Sequence, residues 1–284
     1  MEVDVPVLAD TGVTDLHIES YTVVDGGRSL YLQTSPEYYM KRLLAAGSGD
    51  IYYLGKAFRR EELGRRHLPE FTMLEWYRLG FNEQDLIAEV VALLEDLSGT
   101  DTFEVNKVSY RECFAAKTGV NPHAASMQEL ADLARREIDV SFEPASKSDY
   151  LDLIFSHLVE PSFSSDLFIV YDYPACQSAL ARISGNEYGD SVAKRFEVFW
   201  RGLELANGYW ELTDPQEQRV RFNRDVMLRK QQGKKELPID EKLLAALESG
   251  LPECAGVALG IDRLLMCISG IKEIDGVVTF AGER

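Results

Sequence analysis

Apolar residues recur at helical spacing in "NEQDLIAEVVALLEDL" (82 to 97), where Leu86, Ile87, Val90, Val91, Leu93, Leu94 and Leu97 make one stripe and Asn82 and Asp85 stand where an N-cap is needed. "SMQELADLARRE" (126 to 137) has the same character, so the stretch from about 82 to 165 is predicted to be mostly helical. β-Branched and aromatic runs between 20 and 78 and between 167 and 211 predict strands. Further on, "DPQEQRVRFNRDVMLRKQQG" and "IDEKLLAALESGLPE" read as helices stopping at Gly233 and Gly250, and "AGVALGIDRLLMCISG" runs a glycine-punctuated strand into an amphipathic helix. No repeat of fixed period interrupts this order. The pattern predicts an α+β fold, an antiparallel sheet flanked by helices, rather than a doubly wound parallel sheet. One domain over 1–284, with a helical insertion at roughly 82–165, is the expected organisation.

Charge narrows the function. A net charge of -17 disfavours nucleic-acid partners, which are bound by Lys and Arg neutralising phosphates. No run of about 18 apolar residues exists, and "MEVDVPVLAD" lacks the basic and apolar regions of an export signal, so a cytoplasmic protein without membrane contact is expected. Cys113, Cys176, Cys254 and Cys267 are scattered without metal-ligand spacing, which predicts reduced thiols.

The densest chemistry lies in "FRREELGRRHLPEFTMLEWY" (58 to 77). As a strand, 71 to 77 would place Phe71, Met73, Glu75 and Tyr77 on one face and Thr72, Leu74 and Trp76 on the other. The first face is either a solvated surface or the floor of a cleft. Arg59, in or at the end of the preceding strand, leads into a polar loop with Arg60, Arg65, Arg66 and His67, whose guanidinium groups suit a triphosphate, although a run of charge is also what an ordinary surface carries. Arg263, in the first turn of the helix after "GVALG", likewise suits an anion. In "RFEVFWRGLELANGYWELTD" (195 to 214) a turn at Arg201 and Gly202 would set Phe199 opposite Glu204, with Glu197 diagonal on the same face. Two such carboxylates share a cation, Mg2+ bridging nucleotide phosphates, or pair with Lys194, Arg195 or Arg201. Strict alternation sends Asn207 to the face away from Glu204; a bulge near Gly208 would restore the phase.

Together these segments resemble class II aminoacyl-tRNA synthetases of the lysyl branch. "FRREELGRRHLPEFTMLEWY" is similar to their motif 2, "GVALGIDRLLM" to motif 3 and "LELANGYWELTD" to the lysyl substrate strand, with "TSPEYYMKRLL" as a fourth match. The pattern most resembles the stand-alone lysyl-tRNA synthetase paralogues that attach (R)-β-lysine to a lysine of translation elongation factor P. The resemblance implies an ATP- and Mg2+-dependent enzyme that forms an aminoacyl adenylate. It implies that Arg59 holds the substrate carboxylate and α-phosphate, Glu61 and His67 meet adenine and phosphates, Phe71 stacks on adenine, and Arg263 clamps the γ-phosphate. Arg60, Leu205 and Gly260 complete the ATP set, and Glu197 and Glu204 match the metal positions. Ser35, Pro36 and Glu37 with Asn207 would receive the backbone-side ammonium, and Glu211 with Tyr77 the distal one. Ala258 stands where lysyl synthetases usually have glycine, narrowing the pocket in favour of the shifted amine of β-lysine.

Several departures qualify the match. No anticodon-binding domain precedes the catalytic part, so stable tRNA binding is not expected. Leu68 replaces a usual asparagine and is given no nucleotide contact, and Arg60 replaces another. The resemblance implies a homodimer, but "VDVPVL" begins inside motif 1, and the family's interface helix, which lies before it, is not in this sequence.

Overall fold

The computed structural model describes residues 1–99, 102–139 and 144–281. In chain order its elements are β1 (Leu8–Ala9), β2 (Thr22–Asp25), β3 (Arg28–Leu32), α1 (Glu37–Ala45), β4 (Ile51–Phe58), β5 (Glu70–Leu79), α2 (Glu83–Ser98), β6 (Val105–Ser109), α3 (Tyr110–Thr118) and α4 (Met127–Glu137). There follow α5 (Lys147–Ile154), β7 (Leu167–Pro174), β8 (Ile183–Gly185), β9 (Ser191–Trp200), β10 (Leu203–Trp210), α6 (Pro215–Gln231), α7 (Glu241–Gly250), β11 (Cys254–Gly260) and α8 (Ile261–Ser269). They gather into two compact units, Met1–Asn82 with Leu212–Arg284, and Glu83–Glu211.

In the first unit β5 is the middle strand, antiparallel to β4 on one side and β11 on the other. The register aligns Tyr53, Glu75 and Ala258 in one row and Gly55, Met73 and Gly260 in the next. Residues directly opposite share a face, so the alternation expected of β5 holds, and Phe71, Met73, Glu75 and Tyr77 look the same way. The helix α8 is pinned at its start because the buried Asp262 carboxylate accepts the Thr72 N–H at 2.7 Å. A smaller antiparallel sheet runs β1-β3-β2. The α1 helix falls within the span expected to be strand-like. There Met40, Lys41 and Leu44 are buried at helical spacing, and Pro36 occupies the N-cap, where its missing N–H costs nothing. The end expected for α6 is found. Gly233 has a φ of 69°, and the Gly233 and Lys234 N–H groups return to the Lys230 and Arg229 carbonyls, a Schellman ending that only a residue tolerating left-handed backbone closes cheaply.

In the second unit the order is β10-β9-β7-β6, with β8 on β9. All pairings are antiparallel except β6 with β7, which α3, α4 and α5 connect as a crossover. β6 thus interrupts the span read as helical, a short strand whose exposed Val105 and Asn106 carry little alternating signal. Both α3 and α4 begin with capping boxes, Ser109 with Glu112 and Ser126 with Glu129. Tyr110, Phe114, Leu130, Leu151, Ile154 and Phe199 lie in the core between these helices and the sheet. Among the described residues no helix is long and apolar enough to cross a membrane, and all four cysteines are free thiols.

Candidate active site

The arginine loop between β4 and β5 is built by backbone bonds at both ends. The Arg59 N–H donates to the Pro69 carbonyl at 2.9 Å, and Gly64 and His67 exchange N–H···O bonds at the tip. Leu68 turns inward and is buried, so the position that departs from the expected asparagine serves as an apolar anchor for the loop. This geometry leaves Arg59 lying along the sheet face, its guanidinium 5.2 Å from the Phe71 ring centre and 3.8 Å from the Glu62 carboxylate. Its Nε is buried without a hydrogen-bond partner among the described residues, a donor poised for an anion. Arg60 and Glu61 pair at 3.4 Å, with Glu61 in the left-handed region at φ 70°. From α8, Arg263 donates to the Arg66 carbonyl at 3.3 Å and contacts the His67 ring. The structure thus brings Arg59 to Phe71 and Arg263 to His67. Gly260 supplies the N-cap of α8, and among the described residues no side chain caps that end.

Along the same face the row of small residues Gly55, Ala57, Gly256, Ala258 and Gly260 flanks β5 and leaves its side chains standing in a trough. Glu75, 3% exposed, accepts the Tyr77 hydroxyl at 2.8 Å and lies opposite Ala258. Sequence reading placed Glu75 on this face but gave it no role; its burial was the missing signal. Tyr53 folds flat over Gly55, where a Cβ would meet its hydroxyl at 2.4 Å, so Gly55 is required for that close approach. Glu37 sits in the first turn of α1 and its carboxylate takes the buried Lys41 ammonium at 2.7 Å. Ser35 is half-buried and Pro36 buried just before it.

In the second unit the hairpin turn is at Arg201 and Gly202, with φ of 48° and 74°, and Phe199 pairs with Glu204 as expected. The bulge lies at Leu205, between Glu204 and Ala206, and not near Gly208. It restores the phase three residues earlier, so Asn207 pairs directly with Glu197 and shares the face of Glu197 and Glu204. A buried Leu205 is free to leave the ladder because its side chain is held in the core. Glu197 binds the Arg195 guanidinium and accepts from Asn207 Nδ2 at 3.3 Å. Burial, with the charge of Glu204, raises the Glu197 carboxyl above its ordinary range against the pull of Arg195. The pairing with Arg195 was one of the alternatives open from sequence. Asn207 Oδ1 is buried with no partner among the described residues, a second oxygen acceptor beside the carboxylates. Glu211 is 1% exposed, bridged through its backbone to Ala181.

Among the described residues no three His, Cys, Asp or Glu side chains group to hold a metal. The pair Glu197 and Glu204 fits a different demand, since Mg2+ is commonly held by one or two carboxylates plus substrate phosphates.

The first unit thus carries an arginine beside a phenylalanine ring just after β4 and another arginine in the first turn of α8, and the second unit, taken by itself, carries a hairpin with two acids on one face. The family model of tRNA synthetases class II (D, K and N) matches residues 1–284. The chain belongs to the class II tRNA synthetases. Curated relatives within this class are similar over nearly the whole chain. "Elongation factor P--(R)-beta-lysine ligase" of Vibrio vulnificus (strain YJ016) is 47% identical over 289 residues, covering 99% of this chain and 88% of that protein. The proteins of the same name from Histophilus somni (strain 2336) and Haemophilus influenzae (strain PittGG) are 46% and 45% identical, each over 99% of this chain and 88% of their own length. The antiparallel sheets flanked by helices and the ordered motifs are those of a class II synthetase catalytic region.

Proposed function

We propose that this protein is an ATP-dependent ligase that activates (R)-β-lysine as an adenylate and transfers it to a lysine of elongation factor P. The observation that carries the reading is the buried Glu75 beneath the Tyr77 hydroxyl, opposite Ala258, within a class II synthetase sheet. A buried carboxylate on a site face suits a cationic substrate, and a methyl group across from it shapes where the ammonium sits. The names of the relatives supply the substrate pair.

Arg59 would bind the α-phosphate and the substrate carboxylate, stabilising the charge that builds as the carboxylate oxygen attacks phosphorus and pyrophosphate departs. Phe71 offers an aromatic face for adenine, His67 and Glu61 border it, and Arg60 and Arg263 meet the outer phosphates. The main chain at Gly260 and, in the second unit, at Leu205 adds nucleotide contacts. Glu197 and Glu204 would hold Mg2+, which when bound neutralises phosphate charge. Ser35, Pro36, Glu37, Asn207 and Glu211 would contact the amino acid. In the second step the acceptor amine attacks the adenylate carbonyl and AMP leaves, so positioning carries the catalysis and no side chain need act as nucleophile.

The test is the intact mass of elongation factor P after incubation with the protein, ATP, Mg2+ and (R)-β-lysine. A gain of one lysyl residue is expected. An unchanged mass together with charging of tRNA would overturn the assignment in favour of a tRNA-acylating enzyme.

A further inference from the structure

The root of the arginine loop is held by an ion pair between a buried arginine and a partly exposed glutamate, neither of which is assigned a substrate contact. Arg229, near the end of α6, is 0% exposed, and every guanidinium nitrogen has an acceptor. Nε donates to the Lys235 carbonyl at 3.0 Å, Nη1 to the Asp15 carbonyl at 2.7 Å, and Nη2 to both Glu19 carboxylate oxygens at 2.9 Å. Lys234 adds a bond to the Leu16 carbonyl at 2.6 Å. The segment 15–19 has no helix or strand of its own, so this pair sets its path. At its end the Glu19 carbonyl accepts the Arg60 N–H at 2.8 Å in an isolated antiparallel bridge. Arg59 is thereby fixed on both sides, by Pro69 through its own N–H and by Glu19 through that of its neighbour.

We infer that Arg229 and Glu19 are positioning residues for ATP, acting through the Glu19 backbone to hold Arg59 and Arg60 at the angle at which they meet phosphate. The inference rests on reading that loop as the ATP-binding element. A buried ion pair is a poor source of net stability compared with apolar packing of the same volume, and its planar, multiply bonded fork is a good source of one defined geometry. Lysine has one donor group and cannot reproduce the fork.

The experiment compares wild type, Arg229→Met, Arg229→Lys and Glu19→Gln in two assays. Amide hydrogen exchange of the unliganded protein reads the segment 58–69 against β5 and β11, and pyrophosphate exchange reads KM for ATP against KM for the amino acid. The expected result is faster exchange confined to the loop root, with KM for ATP raised about ten-fold while KM for the amino acid and kcat stay within about three-fold. Arg229→Lys should follow Arg229→Met. Unchanged loop exchange, loss of protection spread evenly over β5 and β11, or an unshifted KM for ATP would each overturn the inference. If Arg229→Met does not fold, Glu19→Gln decides, since Glu19 lies at the surface edge of the pair with 22% of its side chain exposed. A wild-type protein without pyrophosphate exchange would overturn the proposed function, and the hydrogen-exchange arm would still judge the tether.

Discussion

Replacing Glu75 with Gln removes a charge while keeping shape and an oxygen able to accept the Tyr77 hydroxyl. The bond is 2.8 Å long, an ordinary O–H···O distance, and both residues are almost fully buried. An ammonium drawn to this carboxylate gains about 4 kcal/mol at 4 Å for an effective dielectric constant near 20, most of it offset by desolvation. A net loss of about 2 kcal/mol is expected for the variant, or roughly thirty-fold in KM for the lysine substrate. In the proposed site the α-phosphate is assigned to Arg59 and not to Glu75, so kcat should fall by less than about three-fold, the signature of binding lost equally from ground and transition states. Tyr77→Phe should cost about 1 kcal/mol, and the double variant should lose less than the sum, because each residue acts through the other. Pyrophosphate exchange measured against lysine and ATP in turn provides the numbers. A Glu75→Gln enzyme with unaltered KM for lysine, or with KM for ATP shifted equally, would remove Glu75 from the amino-acid site.

Arg263→Ala should abolish pyrophosphate exchange while circular dichroism and melting temperature stay near wild type, because Arg263 is only half-buried; normal exchange would refute its role. Ala258→Gly, which deletes one methyl opposite Glu75, should improve kcat/KM for α-lysine relative to β-lysine by about ten-fold, the scale of a single carbon in a pocket, and an unchanged ratio would break the link between Ala258 and substrate choice. Asp225 gives a pH prediction of opposite sign to most carboxylates. Burial, reinforced by Asp15, pushes its carboxyl up to about 6, so the folded state binds the proton more tightly than the unfolded chain. Stability from this group is gained as pH falls from about 6 towards 4, and a penalty remains above that window. Asp225→Asn should therefore raise the melting temperature at pH 8 and lose that advantage below about pH 4; a constant difference across pH would refute it.

Elements set by neighbours in sequence were legible before the fold was known. The stop of α6 at Gly233, the start of α2 directly after Asn82, the helix at 126–137 with its Ser126 cap, the alternation of β5 and the Arg201–Gly202 turn each depend on a few adjacent residues whose backbone preferences or side-chain bonds act locally. Arg59, Phe71, Glu197, Glu204 and Arg263 could be singled out as candidates through the family resemblance, since charge and spacing alone also fit an ordinary surface. The Leu205 bulge was not, since any of several residues in "LELANG" can leave the ladder, and the choice depends on which apolar side chain the core accepts. α1 was hidden in an aromatic-rich run whose strand propensity was overridden by packing of Met40 and Leu44.

The sequence alone determined the fold class through periodicity and turn signals, and the chemistry through the family resemblance its ordered motifs carry, because both are read from short stretches of chain. Only the tertiary structure decided which groups are spent on one another. Lys41 occupies Glu37, Arg195 engages Glu197, Tyr77 donates to Glu75, and Arg229 reaches Glu19 across 210 positions of chain to hold Arg60. Such pairings follow from burial, which makes a charge costly until it finds a partner, and that partner is set by the path of the whole chain.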